Sequence, residues 1–117
     1  MSKEVKKTSA IHIEVGLNEQ NVPVRIDWKA EDNPNTQEAQ ECKAMLLSLF
    51  DKEHRDTMKI DLWTTEMQVI EMDRFFFQTL RGLADTYMRA TQNTELANEF
   101  RRFVQYFGEK TEVIPKE

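Results

Sequence analysis

The chain has 117 residues, which suits one domain, and its 39% apolar and 9% aromatic residues can supply a modest core. With 21 Asp and Glu against 16 Lys and Arg, the formal charge is -5, which disfavours nonspecific binding to nucleic acid or to an anionic membrane. A single cysteine, Cys42, excludes an intramolecular disulfide and fits a reducing compartment.

The first residues of the chain predict a charged arm rather than a targeting segment. Residues 1–9 are mostly polar, and the apolar positions that follow alternate with polar ones, unlike the uninterrupted apolar stretch of a signal peptide. No apolar run is long enough to span a bilayer. We therefore expect a cytoplasmic protein without direct membrane insertion.

Two alternating segments predict an antiparallel hairpin after this arm. Apolar residues recur at every second position in 11–17 and again in 22–28, and the polar residues 18–21 separate the two segments. This pattern predicts strands with one apolar and one solvated face. Pro23 cannot donate a ladder hydrogen bond, so we place it at a strand start and the second strand at an edge of the sheet.

A second hairpin is predicted after a long polar connection over 30–41. The segment 42–50 is apolar on both alternating faces, although its Leu, Met and Ala residues would also suit a helix. The short polar linker 51–56 leads into a clear strand at 57–64, which favours a hairpin. A strand with two apolar faces is expected at the centre of a sheet.

A long amphipathic helix is predicted next, over about 67–90. From Thr65 onward the apolar repeat lengthens from two residues to three and four, as one helical stripe requires. Thr65 and Gln68 have the spacing of a capping box, which predicts the helix start.

A second helix is predicted after Asn93 or Thr94, either of which can cap its start, and Gly108 is predicted to cap its end. The predicted order gives an α+β fold, with a four-stranded antiparallel sheet of two hairpins and both helices packed on one face. One domain is predicted over 10–108, and 109–117 is predicted to be a tail.

The first predicted helix carries more apolar surface than one sheet can cover. Apolar strips extend over more than half of its circumference, so the surplus must be covered by the second helix, by another subunit or by a client. Alternation places Trp63 opposite the core face of its strand, so it is predicted either to cap an end of the sheet or to contribute to an interaction surface. We expect a homo-oligomer, and the residues predicted to contact a partner or subunit are Trp63, Ile70, Phe75, Phe77 and Met88.

The sequence offers no constellation for catalysis, cofactor binding or metal binding. His12 and His54 lack accompanying residues at metal-ligand spacing. Cys42 lacks an activating base and is expected to be a buried or half-buried small side chain. The carboxylates of Glu66, Glu71 and Asp73 are interpreted as acidic residues that stabilise the positive end of a helix. We therefore expect a protein that is not an enzyme.

Several segments resemble the gliding motility-associated protein GldC family of Bacteroidota. They are Val24-Arg25-Ile26-Asp27-Trp28, Asp32-Asn33-Pro34, Lys59-Ile60-Asp61-Leu62-Trp63-Thr64, Glu66-Met67, Glu71-Met72-Asp73-Arg74-Phe75, Gly82-Leu83-Ala84 and Ala90-Thr91. The resemblance covers about residues 10–105. It implies a small soluble accessory of the surface-gliding apparatus, in organisms whose motility is tied to type IX secretion, with no catalytic residues to carry over.

The predicted element order is also similar, at the level of fold, to SecB-type export chaperones, which are oligomers with exposed apolar grooves. Two functions therefore remain open. The first is a noncatalytic accessory or scaffold protein that contacts protein partners of the gliding or secretion machinery. The alternative is a chaperone-like holdase for exported or envelope proteins, although a shared fold is a weak basis for assigning function.

Overall fold

In the computed structural model, which describes residues 3–32 and 38–115, five strands precede two helices. The strands are β1 Ile11–Leu17, β2 Pro23–Ala30, β3 Gln40–Cys42, β4 Ala44–Phe50 and β5 Thr57–Trp63, and the helices are α1 Val69–Thr91 and α2 Thr94–Lys110. The α+β class predicted from the sequence is confirmed. The chain divides into a strand unit, Met1–Met67, and a helical unit, Gln68–Glu117.

The prediction of one four-stranded sheet was wrong, because the strands form two antiparallel sheets, one of three strands (β1-β2-β3) and one of two (β4-β5). The β2–β3 ladder ends where Ile26 pairs with Cys42, and only Lys43 separates β3 from β4. Beyond Ile26, β2 has just three residues, and the first of them, Pro23, cannot donate to a ladder. β2 therefore offers little backbone to which β4 could pair.

The first predicted hairpin is confirmed, but its second strand lies at the centre of the sheet and not at an edge. β2 pairs with β1 on one side and with β3 on the other. β3 was predicted as part of the polar connection, because a short strand with Gln40 and Glu41 has no apolar alternation to reveal it. Pro23 does begin its strand as predicted, opposite Leu17.

The second hairpin is also confirmed, with β4 antiparallel to β5 and Leu47 opposite Ile60. Its tight turn is held by the Asp51 carboxylate, which accepts backbone N–H bonds from His54 at 2.7 Å and from Glu53 at 3.2 Å. The predicted central position of β4 was wrong: among the described residues β4 pairs only with β5. The apolar residues on both faces of β4 are therefore not a sign of a central position in a sheet.

Helix α1 begins at Val69, and its capping box lies one turn later than predicted. The Gln68 backbone N–H donates to the Glu71 carboxylate at 3.1 Å, so Gln68, not Thr65, is the N-cap. A turn intervenes, in which the Met67 N–H donates to the Thr64 carbonyl at 3.1 Å. The helix ends at Thr91, and its C-cap, Gln92, takes a left-handed conformation with φ 58°.

Helix α2 is capped by Asn93, as predicted, since its side-chain oxygen accepts from the Leu96 N–H at 3.1 Å. The prediction that Gly108 ends this helix was wrong, because α2 continues to Lys110. A Cβ atom at Gly108 would lie 2.6 Å from a ring carbon of Phe77 and 2.8 Å from the Ile114 side chain. Gly108 is therefore required for close packing and not for a left-handed cap.

The helices pack as a hairpin around mostly small side chains. Its buried residues are Phe77 and Ala84 on α1, and Ala97, Val104 and Gly108 on α2. Small residues let two helix backbones approach closely, while the Phe77 ring fills the remaining space beside Gly108. In the strand unit the largest fully buried side chain is Ile26, on the central strand β2.

Candidate protein-contact surfaces

One face of the β4–β5 sheet consists of apolar side chains alone. The register places Met45 opposite Leu62, Leu47 opposite Ile60 and Leu49 opposite Met58, so six apolar residues share this face. We call these residues, Met45, Leu47, Leu49, Met58, Ile60 and Leu62, the apolar sheet face. An amphipathic sheet normally buries such a face against another layer of structure.

Three of the six residues of the apolar sheet face are open to solvent. Leu49 is 59% exposed, Met58 67% and Ile60 50%, whereas Met45, Leu47 and Leu62 are half-buried. Contiguous exposed apolar patches on single chains commonly mark protein-interaction surfaces. The strand predicted over 57–64 is found as β5, but Met58 and Ile60, on the face opposite Trp63 that was predicted to be its core face, are exposed.

The opposite face of this sheet is mixed in character. Lys59 and Asp61 form an ion pair there at 3.1 Å between Nζ and Oδ2, which satisfies both charges at the surface. Trp63, one of the predicted contact residues, lies at the end of the same face and is 58% exposed. The backbone next to it is fixed by the Thr64 N–H, which donates to the Lys43 carbonyl at 2.8 Å.

The helical hairpin has two different sides. On one side, Arg101 Nη2 and Asp85 Oδ1 join the two helices across 3.1 Å, and the Arg81 guanidinium lies 5.3 Å from the centroid of the Phe77 ring. This side combines charges with a partly apolar floor that includes Val104. Helical periodicity places a further stripe of large apolar residues on the other side.

That other side, which we call the apolar helix side, carries Val69, Phe76 and Leu83 from α1, and Leu96 and Phe103 from α2. Val69 is 81% exposed, Leu83 50% and Phe103 51%. Between them lie half-buried apolar residues at the intervening helical positions, namely Met72, Leu80, Tyr87, Phe100 and Phe107. This stripe therefore continues along both helices without reaching full burial.

The five predicted contact residues differ in accessibility. Trp63 is exposed in the strand unit and Ile70 is 71% exposed on α1, while Phe75 and Met88 are half-buried. Phe77, at 6% exposure, lies in the core of the helical unit beside Gly108. Its ring is thus not on the molecular surface, and we leave Phe77 out of the candidate contact surfaces. Contact through the other four residues stays a prediction.

The titratable residues form local pairs at the surface. Asp51 accepts backbone and side-chain hydrogen bonds from His54, which lower the pKa of its carboxyl group below the usual value. Cys42 is half-buried, as predicted, and burial, followed by the charges of Asp27 and Glu41, raises the pKa of its thiol. Raising a thiol pKa disfavours the nucleophilic thiolate.

Across residues 3–32 and 38–115, no three His, Cys, Asp or Glu side chains converge in a way that could hold a metal ion. His12 instead lies 3.6 Å from Glu31 as an exposed pair. None of the helices in the described part of the chain is both long and apolar enough to cross a membrane.

Comparison with known proteins places the chain in a family. The model of the GldC-like family, described as gliding motility-associated protein GldC-like, matches residues 23–113. No curated protein and no solved structure matches the chain. The fold-level similarity to SecB-type chaperones therefore gains no support from these comparisons. The family match begins at the start of β2 and includes every later strand and both helices. The chain therefore belongs to the GldC-like family of gliding motility-associated proteins.

Proposed function

We propose that this gliding motility-associated protein is a noncatalytic accessory that acts by binding other proteins of the gliding machinery through its apolar sheet face. The observation that carries the proposal is the exposure of Leu49, Met58 and Ile60, which lie side by side on a face with no charged residue. Covering apolar surface contributes roughly 25 cal/mol per Å². A partner with a matching uncharged surface would gain this contribution.

The architecture of the β4–β5 sheet supports the same proposal. A two-stranded sheet is marginally stable by itself and gains stability from a third strand or a packed helix. Within the described residues, β4 and β5 each have one ladder partner, so their outer edges present backbone groups to a further strand. The sheet therefore offers a partner both an apolar face and an edge.

A noncatalytic role is supported by the state of the titratable groups. Enzyme sites typically bring several such groups together in a cleft and perturb their pKa values. Here the histidines form exposed pairs with Glu31 and Asp51, and the pKa of the Cys42 thiol is shifted away from reactivity. We propose that the chain contributes surface rather than chemistry, that it acts in the reducing cytoplasm, and that it self-associates.

The proposal can be tested with a matched pair of lysine substitutions on strand β5. In a gliding bacterium that carries this protein as its sole copy, Met58→Lys places a charge on the apolar sheet face. Thr57→Lys places the same charge on the opposite face of the same strand, at a position that is also exposed. We expect Met58→Lys to reduce colony spreading to the level of a deletion strain, and Thr57→Lys to preserve it.

A photo-crosslinking amino acid at position 58 or 57 gives a second readout in the same cells. We expect a discrete crosslinked product with another protein from position 58 and a much weaker one from position 57. Equal crosslinking from both positions, or normal spreading of a stably expressed Met58→Lys strain, would contradict the proposed surface. Normal spreading of the deletion strain would contradict the gliding role itself.

A further inference from the structure

The apolar helix side has the spacing of a helix-bundle interface. Val69, Phe76 and Leu83 follow one another at intervals of seven residues on α1, and Leu96 and Phe103 do so on α2. A seven-residue repeat keeps side chains on one line along packed helices. Because these residues are exposed instead of packed, the line has no partner within the helical unit.

The middle of this side of α1 is also uncharged, and Asp73 lies at its margin next to Leu80. Successive steps of about 100° place one set of uncharged residues along it: Val69, Met72, Phe76, Thr79, Leu80, Leu83, Thr86, Tyr87 and Ala90. The charged residues Arg81, Asp85 and Arg101 lie on the opposite side of the hairpin, where Asp85 and Arg101 pair. The Asp85–Arg101 ion pair therefore lies away from the apolar helix side.

We infer that a second copy of this chain covers the apolar helix side, so that two helical hairpins form a symmetric four-helix bundle. The inference deepens the self-association proposed above and rests on it. In such an isologous contact each copy uses the same surface, and the assembly closes at two copies. Antiparallel hairpins that bury a heptad line against each other are a common form of four-helix bundle.

The area available agrees with a dimer. The five exposed residues of the apolar helix side are between 39% and 81% accessible. If a fully exposed large side chain presents ~200 Å², they offer on the order of 500 Å² per copy. Their half-buried neighbours Met72, Leu80, Tyr87, Phe100 and Phe107 extend this toward the ~800 Å² per partner of a stable interface.

Charge also favours a second copy as the occupant. With a net charge of -5, two copies repel each other unless their contact surfaces are neutral. The middle of the apolar helix side meets this condition, and the charged residues at its margins, Asp73 on α1 and Glu99 and Lys110 on α2, include both signs. A surface made for a charged partner would instead carry complementary charges.

Sedimentation velocity of the purified full chain, over a range of concentrations, tests the inference. We expect the parent protein to sediment as a dimer, and Leu83→Arg or Phe103→Arg to weaken dimerisation by about 30-fold or more, as expected for a hot-spot residue. Gln78→Arg is the matched control, because Gln78 is exposed on α1 but lies off the apolar side. Far-UV circular dichroism verifies that each variant keeps its helices. Because the two substitutions lie on different helices, the test still works if one of the two variants does not fold.

Different results would overturn different statements. A parent protein that is monomeric at every concentration would overturn both self-association and the bundle. A dimer that survives Leu83→Arg and Phe103→Arg as well as it survives Gln78→Arg would overturn the bundle alone. Loss of the dimer in Met58→Lys would move self-association to the apolar sheet face, whereas loss of gliding in Met58→Lys with an intact dimer would support both proposals separately.

Discussion

Strands β2 and β5 have nearly the same alternating pattern but very different burial. Ile26 on β2 is completely buried, whereas Ile60 on β5 is 50% exposed. β2 has a neighbouring strand on each edge, while β5, within the described part of the chain, pairs only with β4. Alternation thus identifies which residues share a face, but the number and position of neighbouring elements decide whether that face is covered.

The same distinction separates two adjacent residues of α1. Phe77 is 6% exposed and Phe76 is 39% exposed, although both rings belong to one run of three phenylalanines. One helical step of about 100° turns Phe77 toward α2 and Phe76 toward the apolar helix side. Phe77 is therefore expected to stabilise the fold more than Phe76, whose ring is partly accessible to solvent.

The largest effect is expected for Phe77→Ala, which should lower the free energy of unfolding of the helical unit by about 3–5 kcal/mol, because a buried ring is replaced by a cavity. Phe76→Ala should cost about 1 kcal/mol or less in the isolated chain. Urea unfolding followed by far-UV circular dichroism measures both. Equal losses would show that Phe76 is as fully packed as Phe77 and would remove the distinction.

A comparable test in the strand unit uses Ile26→Ala and Ile60→Ala. Ile26→Ala should lower the free energy of unfolding by about 2–5 kcal/mol, because removing a fully buried side chain leaves a cavity. Ile60→Ala should lower it by about 1 kcal/mol or less. Both tryptophans, Trp28 and Trp63, lie in this unit, so their fluorescence reports its unfolding. A large cost for Ile60→Ala in the purified chain would mean that its face is already covered there.

Two glycines give the next comparison. Gly108→Ala should destabilise the helical unit by about 1–3 kcal/mol, because the new methyl group would overlap the Phe77 ring and Ile114. Gly82→Ala has nothing within 4 Å of the new atom and should stabilise α1 by roughly 0.5–1 kcal/mol through helix propensity. The midpoint of thermal unfolding should fall for Gly108→Ala and rise for Gly82→Ala. A higher midpoint for Gly108→Ala would argue against the close approach of α1 to α2.

The smallest effect concerns the caps. Asn93→Ala removes the acceptor for the Leu96 N–H and should cost about 1 kcal/mol. Thr65→Ala should have little effect, because Thr65 lies in the turn before the true N-cap, Gln68. Denaturant midpoints for both variants test this assignment. A larger loss from Thr65→Ala than from Asn93→Ala would restore the start of α1 predicted from the sequence.

Much of the fold was predictable because it depends on local chemistry. The two hairpins, the Asn93 cap and the strand start at Pro23 each follow from residues close together in the chain. β3 was missed because its few polar residues pair with β2 through backbone groups, which leave no pattern in the side chains. Gly108 was misinterpreted because a glycine near a helix end indicates either a cap or a close approach, and only the neighbouring helix distinguishes the two.

The candidate contact surfaces were predicted less well than the fold. Excess apolar surface on the first helix was expected from its composition, and exposed residues such as Ile70 are found there. One of the five predicted contact residues, Phe77, is buried beside Gly108 of the second helix. The apolar sheet face was assigned to the core, since an apolar face has the same sequence pattern whether it is covered within the chain or by another protein.

The sequence alone determined the α+β class, the order of the hairpins and helices, and the segments that resemble the GldC-like family, because periodicity, caps and turns act over a few residues. Only the tertiary structure decided that the strands divide into two sheets and that Phe77 is buried while Phe76 is accessible. Burial depends on which elements lie next to each other in space, and that information comes from residues far apart in the chain.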